Sequence, residues 1–126
     1  MYGLSSDIDL TFLRGLNLIK VCVSPARVQF HFCQPGSTTS DTGISVDISY
    51  RHRHGDKEYE WSPGIPLSSS CSVLLLIGAS IADLQGDPDG TLLLRFTNGD
   101  SLTLYDETTM YEAYHIWHGN NPLIVV

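Results

Sequence analysis

The segment Tyr111-Glu-Ala-Tyr-His-Ile-Trp-His118 packs a carboxylate, two imidazoles and three large aromatics into eight residues. Such a set can do acid–base work or stack a small ligand. Read as a strand, it puts Glu112, Tyr114, Ile116 and His118 on one face and Ala113, His115 and Trp117 on the other. Glu112 and His115 then point apart, and Glu112 and His118 sit about 20 Å from each other. The favoured expectation is therefore a packed aromatic strand. An enzymatic or small-ligand site at Glu112, Tyr114, His115 and Trp117 is the alternative.

Three other groups have chemically suggestive spacing. Asp87-Pro-Asp89-Gly90 opens like a calcium loop, but Asn98 occupies the position of the closing bidentate glutamate, so a plain turn is expected. His52 and His54 alternate at a strand end with Asp56 beyond, the pattern of a transition-metal pair. Solvated pairs of this kind usually carry no ion, and no metal or cofactor is expected. Cys22, His31 and Cys33 share a face turned away from the apolar residues, without Cys-x-x-Cys spacing, so ordinary reduced thiols are expected. No nucleophile elbow, phosphate loop or metalloprotease motif occurs.

The elements that must position these residues follow from apolar periodicity. Leu92, Leu94 and Phe96 face Leu102 and Leu104 only if the turn is the three-residue Thr97-Asn98-Gly99, with Gly99 at positive φ; a two-residue loop would split the apolar set. A four-residue loop, Ser24 to Arg27, pairs Val23 with Val28 and Val21 with Phe30, placing Ile19, Val21, Val23, Val28, Phe30 and Phe32 on one face. Ile44, Val46, Ile48 and Tyr50 alternate as one half-buried strand, 51–57 is a polar turn, and Glu58 to Trp61 is its return. Leu67 to Ile77 reads as a helix ended by Gly78, its apolar end buried against the sheet. Strands follow at 79–85, 111–118 and 123–126. Gly15 to Ile19, Val28 to Phe32 and a strand after Gly43 echo Gly78 to Ile81, Leu92 to Phe96 and a strand after Gly99. The expectation is one α+β domain over 1–126: a mainly antiparallel sheet of about eight strands, in two hairpin-based halves, with one helix packed on it.

The net charge is −7, and it is uneven. Residues 83–112 hold Asp83, Asp87, Asp89, Asp100, Asp106, Glu107 and Glu112 against Arg95 alone. Nucleic acid wants the opposite charge, while a basic protein partner fits. Three widely spaced cysteines, no basic leader and no apolar run of membrane length lead to a cytoplasmic expectation with no membrane contact.

The run Asp89-Gly90-Thr-Leu-Leu-Leu-Arg-Phe-Thr-Asn-Gly99, followed by Tyr111-Glu-Ala-Tyr114 and a terminal strand, resembles a family of small uncharacterised bacterial domains. Those end in an Asp-Gly-x-Leu…Phe-x-x-Gly hairpin and a Tyr-Glu-(Ala/Ser)-(Trp/Tyr) strand. Tyr114 stands where many members have Trp, and the His-rich 51–54 stretch lies outside their pattern. The resemblance implies a bacterial domain of unassigned function, with some members in settings suggestive of toxin–immunity loci. The expected function is a non-enzymatic protein-interaction module, in concrete form an immunity-type inhibitor, with homodimerisation left open. Its binding residues would be Asp87, Asp89, Asp106, Glu107, Glu112, Tyr114, His115 and Trp117.

Overall fold

Both hairpins form in the register that the apolar pattern demands. The computed structural model describes residues 2–108 and 110–126, with 67–70 as backbone only. Strand β1 (Asn17–Val23) pairs with β2 (Val28–Cys33) through Val23↔Val28 and Val21↔Phe30. Strand β7 (Leu92–Phe96) pairs with β8 (Ser101–Leu104) through Leu92↔Leu104 and Leu94↔Leu102. Gly99 closes the second turn at φ +91, where a side chain would be strained. The remaining strands are β3 (Thr42–Val46), β4 (Tyr50–His54), β5 (Lys57–Trp61), β6 (Ile81–Gly86), β9 (Tyr114–His118) and β10 (Ile124–Val125). Two five-stranded antiparallel sheets result, ordered β1-β2-β3-β9-β10 and β5-β4-β8-β7-β6, and their inner faces share one apolar core.

The α+β expectation is overturned. Among the described residues there is no α-helix; Leu67–Leu76 is a 3-10 segment, and the protein is nearly all antiparallel β. Val73 and Leu76, three residues apart, are fully buried, whereas Leu74, Leu75 and Ile77 stay about half exposed. That three-residue repeat is the 3-10 period, and no side chain caps the segment's start at Pro66. The run 44–50 is also not one strand. It leaves β3 at Val46, bends over 47–49 and enters β4 in the other sheet at Tyr50. Alternation survives the bend because both ends face the same core. The 51–54 stretch is strand rather than turn, reversed at Gly55-Asp56. In β1 a bulge after Leu18 turns Leu18 into the core and leaves Ile19 only partly covered.

The two halves repeat each other's pairing. Strands β1-β2-β3 and β6-β7-β8 are both consecutive antiparallel runs, each with a bulge in its first strand. The closing hairpin of each half is exchanged: β4-β5 pairs with β8, and β9-β10 pairs with β3. The registers correspond, Leu104↔Tyr50 matching Val46↔Tyr114 and Leu102↔His52 matching Ile44↔Ile116. At the join, Gly15 N–H donates to the Ile81 carbonyl and Gly78 N–H to the Leu18 carbonyl, each at 2.8 Å. Leu18 N–H to the Ala79 carbonyl and Ile81 N–H to the Leu16 carbonyl follow at 3.0 Å. The halves thus meet along their own first strands in a pseudo-twofold arrangement, as in a strand-exchanged dimer on one chain.

Two substitutions test this packing. Leu92→Asp should abolish the folded state in circular dichroism, because Leu92 is fully buried and the charge would have no partner. At Gly43 a Cβ would be built into the Trp117 indole, which lies across that glycine in the β3–β9 pair. Gly43→Ala should displace Trp117, shift its fluorescence, and cost about 1–3 kcal/mol in a denaturant melt.

Candidate functional site

Strand β9 begins at Tyr114, so the face assignment expected for Glu112 does not apply. Glu112 lies before the strand and reaches His115, Oε2 to Nε2 at 2.6 Å. His115 Nδ1 stands 3.7 Å from Asp47 Oδ2, and Asp47 Oδ1 is 3.1 Å from Arg27 Nε. Glu112, Asp47 and Arg27 border an open groove of about 510 Å³ together with Tyr2, Met110 and Tyr111. Tyr114 is not part of it. Its side chain is buried, and its hydroxyl donates to the Gly90 carbonyl at 2.7 Å. Burial, reinforced by Asp89, pushes its phenol far above the ordinary range, so it serves as a neutral strut. Trp117 covers Gly43 and stands edge-on to His31 at 5.4 Å.

The acidic run 83–112 is broken up by the fold. Asp83 pairs with Arg14 and lies near Arg95, and Asp100 is buried. Asp87 is exposed in the turn, where its backbone N–H meets the Thr91 carbonyl, and Asp89 accepts the Thr91 N–H. Asp89, Asp106 and Glu107 line a second groove, of about 340 Å³, with Tyr2, Gly3, Pro88 and Thr108; among the described residues no lysine, arginine or histidine lines it. Asp106 accepts the Gly3 N–H at 2.9 Å. Tyr2, 60% exposed, borders both grooves, so the structure gathers Asp89, Asp106, Glu107 and Glu112 at one end of the molecule.

Sequence reading missed a buried polar cluster. His52 on β4 is fully buried, and Asp100, just past the β7–β8 turn, is almost so. His52 Nε2 meets Asp100 Oδ2 at 2.8 Å, His54 Nδ1 meets Asp100 Oδ1 at 2.8 Å, and His52 Nδ1 meets Ser72 Oγ at 2.9 Å. Burial works to raise the Asp100 pKa, but the hydrogen bonds from the two imidazoles outweigh it and hold the carboxyl below its usual value. An ionised carboxylate only accepts, so His52 donates from Nε2, and the Ser72 hydroxyl is the partner of Nδ1. The sequence signal for this set was faint, a His-x-His at 52–54 and an aspartate 46 residues beyond His54.

The expected Cys22–His31 neighbourhood is real, Sγ to Nε2 at 3.8 Å, while Cys33 is buried and bonded to the Ser37 carbonyl. Burial and then the charge of Lys20 hold the His31 pKa below its usual value. Among the described residues no three His, Cys, Asp or Glu side chains are placed to hold a metal ion, and no helix is long and apolar enough to cross a membrane.

Asp100→Asn should cost about 3 kcal/mol in a denaturant melt at neutral pH, since it breaks a buried network at its centre. The Asp100 pKa is lowered by folding, so its contribution is present above about pH 4 and is lost as pH falls through the lower folded value. Acid titration of the melt should show that loss in the wild type and much less of it in Asp100→Asn. The matching pair in the other half is Ile116 and Thr42, with His118 Nδ1 bonded to Thr42 Oγ1 at 2.9 Å. The double variant His52→Ile/Asp100→Thr copies that arrangement and should melt within about 1 kcal/mol of wild type.

No family model, no curated protein and no solved structure matches this chain.

Proposed function

We propose that the protein is an interaction module whose binding surface is the Tyr2 end of the molecule and whose partner presents basic side chains. The supporting observation is the groove lined by Asp89 and Glu107, with Asp106 at its wall, beside an exposed tyrosine; among the described residues no lysine or arginine lines it. A guanidinium or ammonium entering it meets carboxylates for charge-assisted hydrogen bonds and an aromatic face for cation–π attraction. The adjoining groove offers Tyr111 and Met110 as apolar ground for the residues that flank the cation. The net charge of −7 adds long-range steering toward a basic surface. In its most concrete form the module is an immunity-type inhibitor that lays these carboxylates over a toxin's basic catalytic surface.

A Glu112–His115 acid–base site is less well supported. The pair is mostly tied up locally, since His115 also faces Asp47 and the Glu112 side chain is 43% exposed to water.

Capture of partners from lysate at low ionic strength should retain a basic protein that elutes as salt rises, because screening shortens from about 30 Å to about 10 Å between 0.01 and 0.1 M. Glu107→Lys with Asp89→Lys should abolish capture, and Tyr2→Ala should weaken it, while the fold survives with only the small loss expected from the exposed Asp89–Thr91 and Glu107–Ser49 hydrogen bonds. Retention by the charge-reversed variant would sink the proposal.

A further inference from the structure

We propose that Ser72 is a second, separate site: a nucleophilic serine, with His52 as its base, that attacks esters carrying small apolar acyl groups. Three observations carry it. Ser72 Oγ lies 2.9 Å from His52 Nδ1 and Asp100 Oδ2 lies 2.8 Å from His52 Nε2, the spacing at which a neutral His52 takes the proton from the serine oxygen. Ser72 is partly exposed, and Leu75, one 3-10 turn later on the same side, is half exposed beside Leu74 as apolar ground for an acyl chain.

The third observation comes from the pseudo-twofold. The same strand pairing is made in the other half with Ile116 and Thr42 in place of His52 and Asp100. At the position that matches Ser72 by chain offset, Asp9 is exposed and its carboxylate accepts from Thr11. The fold therefore does not require a buried imidazole and carboxylate here, and one half carries them where the other uses an aliphatic core.

The step balances without a cofactor. Ser72 Oγ bonds to the carbonyl carbon while its proton passes to His52 Nδ1. The bond to the leaving alcohol breaks, and His52 returns the proton to that oxygen. Water then repeats the sequence on the acyl-serine, releasing the acid and restoring the hydroxyl. Asp100 keeps the imidazole in the tautomer this requires.

The full-length chain is treated with a fluorophosphonate, which phosphonylates activated serines with loss of fluoride, and the adduct is mapped by peptide mass spectrometry. In parallel, hydrolysis of p-nitrophenyl butyrate is followed. Labelling should fall at Ser72 far faster than at the exposed Ser62, and ester hydrolysis should vanish in Ser72→Ala. In the double variant His52→Ile/Asp100→Thr, labelling at Ser72 should drop by about 100-fold or more. Ser72 labelled no faster than Ser62 in the folded wild type overturns the proposal, whether or not any variant folds. So does butyrate hydrolysis that persists in Ser72→Ala. Loss of partner capture leaves both readouts untouched, so the two sites stand or fall separately.

Discussion

Residues 15–18 and 78–81 bond to each other backbone to backbone, and everything else is arranged around that join. Each segment leads into the first strand of one sheet, so four hydrogen bonds seal the two sheets along one side. The bulges just beyond, after Leu18 and after Ile81, let both chains turn away from the join while keeping Leu18 and Ile81 in the core. Asn17 and Ser80 face each other where the halves meet, linked by a hydrogen bond between their side chains. Without the join, each half would present an unpaired strand edge.

Exchange of the closing hairpins makes the two sheets interdependent. Tyr50 and Tyr114 occupy matching positions, each at the start of an exchanged strand and each with its ring inside the core. Tyr50 stacks on Trp61 at 5.5 Å and meets Phe30 of the opposite sheet edge-on at 5.8 Å. Neither half can bury its own aromatic residue without a strand from the other, which binds distant parts of the chain into one cooperative unit.

Near-symmetry also makes departures from it informative. The 24–27 turn and the 87–91 turn close matching hairpins, yet the second carries Asp89 and frames an acidic groove. His54 and His118 both bond a side chain at the start of the neighbouring strand, but that partner is a buried carboxylate in one case and a threonine in the other. Polar groups in a core cost desolvation and must be fully bonded, so a polar set on one side of a pseudo-twofold, opposite an apolar one, marks where structure alone does not explain the residues.

Local pattern determined both long hairpins. Period-two alternation and turn geometry admit only one register that keeps Leu92, Leu94, Leu102 and Leu104, or Val21, Val28 and Phe30, on one face. The same alternation could not reveal the bend at 47–49, because a strand that changes sheet still faces one core. Nor could it separate a 3-10 segment from a helix in Val73-Leu-Leu-Leu-Ile77, where apolar residues fill every position and packing against β1 and β5 decides the period. Glu112 met His115 only because tertiary pairing starts β9 three residues later than the apolar pattern suggests. Beyond the faint His-x-His signal, the Ser72–His52–Asp100 chain was not legible in sequence: its members come from distant stretches and touch only after β4 has been handed to the sheet of the other half. Short-range periodicity governs which side chains share a face, but which faces meet depends on pairings between residues dozens of positions apart.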